Sequence, residues 1–237
     1  MGKCLLIGAS QGEEGRILVI GDLHLGYEES LNESGVFVTR QLFREMIGEL
    51  DGVFELAGKV DKVILLGDVK HVFSKNIRQE WNDVLELFDY FLGKMGGEGE
   101  IVVTRGNHDN YLKTIAGKRN VKVEDYVIVG DVGFLHGDRV IEEVADNEKI
   151  KKIIIGHFHP AVNLSDGNKI EKYKCFLEGE WKGKEIIVVP SFVEYGGGSD
   201  LRDGGVRDVW GFKFEKFNVK IVGEGLEVWD FGKLNKL

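Results

Sequence analysis

The sequence predicts an α/β protein of two packed β-sheets with helices outside, built as a single domain over residues 1–237. Three observations predict it. Short β-rich runs alternate with helical patterns through the first two thirds of the chain. Hairpin signals dominate the last third. No low-complexity segment, long linker or internal repeat divides the two.

Residues 16–20 form a compact apolar run that meets Gly21 and Asp22. Over residues 36–50, Val36, Arg40, Phe43, Met46, Ile47 and Leu50 recur with a period near 3.6 and predict a helix. Residues 62–66 are a second buried-type strand, ending at Gly67 and Asp68. Residues 76–92 predict an amphipathic helix with Ile77, Trp81, Val84, Leu85 and Phe88 on one face. Residues 101–104 are a third strand, ending at Gly106, Asn107 and His108. Beyond it, strands at 127–129 and 133–135 flank Gly130 and Asp131. Residues 152–155 end at Gly156 and His157. Strands at 173–181 and 185–189 flank Lys182, Gly183 and Lys184. The C-terminal strands of the sandwich are expected over about 170–231, with 209–229 alternating apolar and polar residues.

The 43% hydrophobic content suffices for a sizeable core. A formal net charge of −9 excludes a generally basic nucleic-acid surface, though not a local patch. Cys4 and Cys175 are far apart and in no metal-type spacing, which fits reduced core thiols in a cytoplasmic protein. The N-terminal apolar run is too short for a secretory signal, and no stretch approaches the roughly 18 apolar residues of a membrane span.

Five apolar β runs end on metal-type ligands: Asp22 and His24; Asp68; Asn107, His108 and Asp109; His136 and Asp138; His157 and His159. Five of the six histidines fall in these motifs. Glycines beside them let the backbone turn sharply and approach a bound group closely. Ligands at the carboxyl ends of adjacent strands converge on one edge of a sheet. The i, i+2 spacing of Asp22/His24 and of His157/His159 puts each pair on one side of an extended segment. Imidazole and carboxylate donors suit Mn, Fe, Zn or Ni. Two such cations activate a hydroxide and clamp the phosphoryl oxygens of an in-line displacement, with one carboxylate, Asp68, bridging them. Each motif alone reads as readily as an ordinary loop; the ordered set does not.

That order of motifs, Asp-x-His, Gly-Asp, Gly-Asn-His-Asp, His and Gly-His-x-His over 22–159, resembles the calcineurin-like metallophosphoesterase superfamily. The resemblance implies a four-layer αββα sandwich and two divalent metal ions per chain, Mn favoured. It implies that Asp22, His24, Asp68 and His159 hold the first metal, and Asp68, Asn107, His136 and His157 the second. It makes His108 the catalytic imidazole and Asp109 a supporting group. The sixth histidine, His71, follows Asp68 in a pattern that looks like Gly-Asp-Leu-x-His of the SbcD-type repair nucleases, and is a candidate second active-site imidazole. The nearest groups are the compact archaeal SbcD-related and the ligase-associated phosphoesterases.

This implies a phosphodiesterase acting on nucleotide or nucleic-acid substrates. The rival readings are a phosphomonoesterase or dinucleoside-polyphosphate hydrolase, and a non-catalytic subunit of a DNA-repair complex with repair proteins as partners. SbcD-type nucleases carry a large additional DNA-binding region and an ATPase-docking tail; neither is expected from these residues, and processive, ATP-dependent cutting is accordingly not expected. Arg202, near the glycine loop at 196–198, is a candidate phosphate clamp. The alternating C-terminal tail offers an edge for a homodimer, or closes the second sheet.

Overall fold

The computed structural model describes residues 1–8, 15–73, 77–193, 197–203 and 208–237. In chain order the strands are β1 (Cys4–Ile7), β2 (Ile17–Ile20), β3 (Lys62–Leu65), β4 (Glu100–Thr104), β5 (Lys122–Glu124), β6 (Tyr126–Val129), β7 (Val132–Leu135), β8 (Lys152–Ile155), β9 (Pro160–Ser165), β10 (Ile170–Trp181), β11 (Lys184–Val188), β12 (Ser199–Asp200), β13 (Asn218–Val222) and β14 (Val228–Lys233). The helices are α1 (Tyr27–Glu33), α2 (Leu42–Ala57), α3 (Arg78–Lys94), α4 (Leu112–Ala116) and α5 (Glu142–Ala145).

Among the described residues, β1 to β5 form one sheet in sequential order, parallel from β2 to β5. The second sheet runs β12-β9-β10-β11-β8-β7-β6, with β13 on β10 and β14 on β13. Side-chain alternation explains how the sheets stack. In β2, Ile17 and Val19 face the second sheet and pack with Ile64, Phe134, Ile154, Phe176 and Ile187. Leu18 and Ile20 face the other way, onto Leu50, Val53, Val84, Leu87 and Phe88 of α2 and α3. In β8, Ile154 joins the layer between the sheets while Ile153 and Ile155 join an outer cluster. That outer cluster includes Val144 and Ala145 of α5 and the aromatics Trp210, Phe212, Phe214 and Phe217. The two packed sheets and outer helices predicted from the sequence are present, and Cys4 and Cys175 are buried free thiols.

Several element boundaries differ from expectation. The helix expected from residue 36 begins at Leu42, and Val36 and Phe37 are exposed. Glu28 of α1 sets this start: its Oε1 accepts the N–H groups of Gln41 and Leu42, donors that a first helical turn leaves unpaired. The helix expected over 76–92 runs Arg78–Lys94 and turns Val84, Leu87, Phe88 and Phe91 inward; Asn76 lies outside the described residues. Within 209–229, Trp210 to Phe217 is not a strand, although its aromatics are buried as a core. The strands there are β13 and β14. The 182–184 hairpin is tighter than expected: Lys182 and Gly183, both at positive φ, join β10 to β11.

Strands β2, β3 and β4 of the first sheet and β7 and β8 of the second all end on the same side of the molecule. Parallel bridges Gly21–Ser191 and Leu25–Lys70 tie the loops together there.

Candidate metal centre

The loops after β2, β3, β4, β7 and β8 bring the seven expected ligands together. In the first group, Asp22 Oδ1 lies 3.2 Å from His159 Nε2, and His24 Nε2 lies 3.3 Å from His159 Nε2. In the second, His136 Nε2 lies 3.2 Å from Asn107 Oδ1 and 3.1 Å from His157 Nδ1. Asp68 Oδ2 sits between the groups, 3.8 Å from His24 Nε2 and 3.6 Å from His136 Nε2. Its other oxygen, Oδ1, accepts the His108 N–H at 2.8 Å and fixes the carboxylate in that bridging position. Asp22 Oδ1 also lies 3.7 Å from His136 Nδ1, but that nitrogen donates to the Leu66 carbonyl at 2.7 Å and is not available as a ligand. Asp22 therefore belongs with the first group.

This donor set fits cations. Because His136 Nδ1 carries the proton, its Nε2 presents a lone pair. That lone pair faces Asn107 Oδ1, Asp68 Oδ2 and His157 Nδ1, all acceptors or lone-pair atoms. A cation, or a proton on His136, satisfies such a cluster. Bonds of about 2.0–2.2 Å to one ion place its ligand atoms about 3.0–3.5 Å apart; the His159, Asn107 and His157 separations above are of that size, and Asp68 Oδ2 lies slightly further, at 3.6 and 3.8 Å. Buried side chains dominate: Asp22 is 0% and His136 1% exposed.

The backbone is strained at the same place. Asp22, His24, Asp68, His157 and His159 all have positive φ, five of the nine non-glycine residues that do so among those described. Left-handed backbone costs a non-glycine residue on the order of 1–3 kcal/mol, and its concentration at ligands points to a bound group that offsets it. The glycines expected to permit close approach do so. A Cβ on Gly156 would lie 2.6 Å from Asp22 Oδ2, and one on Gly106 would collide with Asp68 Oδ1.

Charge follows burial. Burial pushes His24 down to about 3, helped by His159, His108 and His71 and opposed by Asp22. Burial also lowers His157 and His71, each to about 4, with neighbouring His136 and His108 respectively adding to the effect. Burial alone would raise Asp22, but the charge and hydrogen bond of His159, with His136 and His24, hold it well below the carboxylate range. Asp68 moves up, from burial and from Asp22. His136 is disfavoured as a cation by burial, yet Asp22 and Asp68 outweigh this and raise it. The lowered His24 and His157 and the lowered Asp22 are in the states a divalent ion requires, while His136 and Asp68 shift toward holding the proton that such an ion would displace.

His108 and His71 stand beside the ligands. The His108 ring is 5.2 Å from His24 and stacked 5.7 Å from His71, and its Nδ1 meets the His71 carbonyl at 2.6 Å. Nδ1 is therefore the protonated nitrogen and Nε2 is free. Tyr27 packs edge-on against His71 at 4.7 Å, and the half-exposed Phe73 edge-on against His108 at 6.0 Å. Asp109 is 2% exposed; it accepts the Lys70 and Gly106 N–H groups and joins the β3 and β4 loops. Burial, with Asp68, raises it to about 6.

The phosphate-clamp role expected of Arg202 finds no support in its placement. Its guanidinium donates to both oxygens of Asp200 and to the Asn163 carbonyl, so its donors hold its own loop. Sequence reasoning missed Lys70, Glu80, Tyr27 and Phe73. Lys70 and Phe73 carried one signal, their position on either side of His71.

The fold and this donor set define a metal-dependent phosphoester hydrolase with a two-metal type of site. The chain belongs to the Calcineurin-like phosphoesterase family, whose model matches residues 15–161. No curated protein sequence matches it. Among solved structures it is similar to the nuclease MPE of Pseudomonas putida, with a TM-score of 0.61, 16% identity, and 96% of this chain and 100% of that one covered. It is also matched by a Vps29 mutant of Entamoeba histolytica (TM-score 0.40, 18% identity, 91% and 99% covered) and by the E. coli phosphoesterase YfcE (TM-score 0.40, 13% identity, 88% of each). The first speaks for the fold alone, and the other two add nothing to the assignment. Among the described residues, no helix is long and apolar enough to cross a membrane.

Proposed function

We propose that the protein is a phosphodiesterase acting on nucleotide or nucleic-acid diesters, with Mn as the best-suited metal. Asp22, His24, Asp68 and His159 would hold one ion; Asp68, Asn107, His136 and His157 would hold the other. Bound there, the ions supply positive charge to the phosphoryl oxygens and an activated water for in-line displacement.

The observation that carries the diester reading is the second imidazole. His71 stacks on His108, and both stand outside the ligand set. Cleavage of the P–O bond of an alkyl phosphate ester expels a poor alkoxide, which needs an acid at the leaving oxygen while the phosphoryl oxygens are held. His108 keeps Nε2 free because Nδ1 donates to the His71 carbonyl. Protonated at Nε2, it can give that proton to the leaving oxygen while His71 donates to a phosphoryl oxygen. Phe73, half-exposed and edge-on to His108, offers an apolar wall to the organic arm that a diester has and a monoester lacks.

The test is turnover with Mn of bis(p-nitrophenyl) phosphate against p-nitrophenyl phosphate. The diester should be the faster substrate, and faster monoester turnover overturns the reading. His108→Ala should abolish turnover while leaving metal content at wild-type stoichiometry. A panel of cyclic nucleotides, dinucleotides and DNA ends then separates small diesters from polymer.

A further inference from the structure

Lys70 and Glu80 form an ion pair with both side chains 0% exposed, Nζ to Oε2 3.1 Å. Burying such a pair is costly, and apolar residues of similar volume would serve stability as well or better. What the pair does locally is more specific. Glu80 enters from the first turn of α3, seated against Gly26, where a Cβ would come within 2.9 Å of the Glu80 Cβ. Its Oε1 accepts the His71 N–H at 3.0 Å and the Val72 N–H at 2.9 Å. Lys70 Nζ donates to the Val72 carbonyl at 2.8 Å. The Lys70 N–H is held by Asp109 at 3.2 Å and the His71 N–H also reaches the Leu25 carbonyl. The peptide that leaves this clamp is the His71 carbonyl, which accepts His108 Nδ1–H at 2.6 Å.

We propose that Lys70 and Glu80 are positioning residues: together they clamp the His71–Val72 backbone so that the His71 carbonyl fixes the tautomer and aim of His108. This deepens the proposed function, since it rests on His108 acting at the phosphate. The path runs from α3 through two backbone amides to one carbonyl and one imidazole. A displacement of about 1 Å at a catalytic group costs on the order of 10²-fold in rate.

Single substitutions would strand a buried charge and endanger folding, so the test compares two neutral double variants. Lys70→Met/Glu80→Gln keeps the Oε1 acceptor for both backbone amides. Lys70→Met/Glu80→Leu removes it. Both should fold and bind metal at wild-type stoichiometry. With the diester substrate, the Gln variant should stay within about tenfold of wild-type kcat and the Leu variant should fall about 10²-fold, with KM little changed in either. In ¹⁵N-histidine-labelled, Zn-loaded protein, the hydrogen-bonded His108 Nδ1–H resonance should persist in the Gln variant and disappear in the Leu variant. Wild-type kcat and an intact resonance in the Leu variant overturn the proposal. So does equal loss in both variants, which would mark the pair as structural. The NMR arm needs no turnover, so failure of the phosphodiesterase reading would leave it decisive.

Discussion

Gly156→Ala should disable the metal centre while leaving the fold intact. Gly156 is not among the glycines at positive φ, so alanine meets no left-handed strain there. Its new Cβ would lie 2.6 Å from Asp22 Oδ2. Real Cβ contacts stay above about 3.0 Å, so the carboxylate must retreat by about 0.4 Å or more. It has little room: Asp22 is 0% exposed and rests on the His157 N–H, at 3.0 and 3.2 Å from its two oxygens. Retreat weakens a charge-assisted hydrogen bond worth about 1.5–3 kcal/mol and shifts both Asp22 and the His157 loop. Ligand disturbance of this kind typically costs about 10–100-fold in metal affinity. Isothermal titration of chelator-stripped protein with Mn should show that loss, with turnover reduced at least as much. The control is Gly48→Ala on the exposed face of α2, where nothing lies within 4 Å of the added Cβ. It should stabilise by about 0.5–1 kcal/mol, without affecting metal. Metal affinity and turnover in Gly156→Ala within twofold of wild type would refute the reasoning.

Chelation should lower Tm and Mn should restore it, because five ligands are held at positive φ and their carboxylates are buried. Free metal at 100 times Kd is worth about 2.7 kcal/mol. Differential scanning fluorimetry in EDTA and in excess Mn, Zn and Mg checks this, and a Tm indifferent to every divalent ion contradicts it. Asp83→Asn should stabilise at neutral pH. Burial raises the Asp83 carboxyl to about 6, with Glu86 and Glu28 adding to the rise and Gln79 and Arg40 opposing it. The folded protein then binds the proton more tightly than the unfolded chain, so stability falls as pH rises from about 4 through about 6. The variant should gain about 1 kcal/mol at pH 7.5, allowing for solvent screening, and the gain should vanish near pH 4 in urea melts. Phe73→Ala should raise KM for nucleoside-bearing diesters about tenfold and leave a methyl diester nearly unchanged, as a lost contact of about 1–3 kcal/mol requires. Steady-state kinetics on the two substrates decide it.

Much of the candidate centre was legible in the sequence because its candidate ligands are short motifs at strand ends. Asp22/His24 and His157/His159 stood out as short i, i+2 motifs, although all four residues sit at positive φ and not in the extended segments expected, and Gly106 and Gly156 announced close backbone approach. The strands were legible for a related reason, since 17–20 and 152–155 are short continuous apolar runs, as strands covered on both faces require. The start of α2 was not legible, because Glu28, fourteen residues before Leu42, caps it. The pairing of Arg202 was not legible, because a loop arginine in sequence carries no mark of the Asp200 carboxylate it meets.

By itself the sequence determined which residues could be ligands, in what order they come, and that strands must carry them to a common edge. Only tertiary structure decided that Asp68 Oδ2 lies between the two groups, that His136 offers Nε2 and not Nδ1, and that His71 presents its carbonyl to His108. These are matters of which atom faces which across separations of 37 to 70 residues. Tautomer and aim are set by the partner at the far side of the contact, and no local pattern encodes that partner.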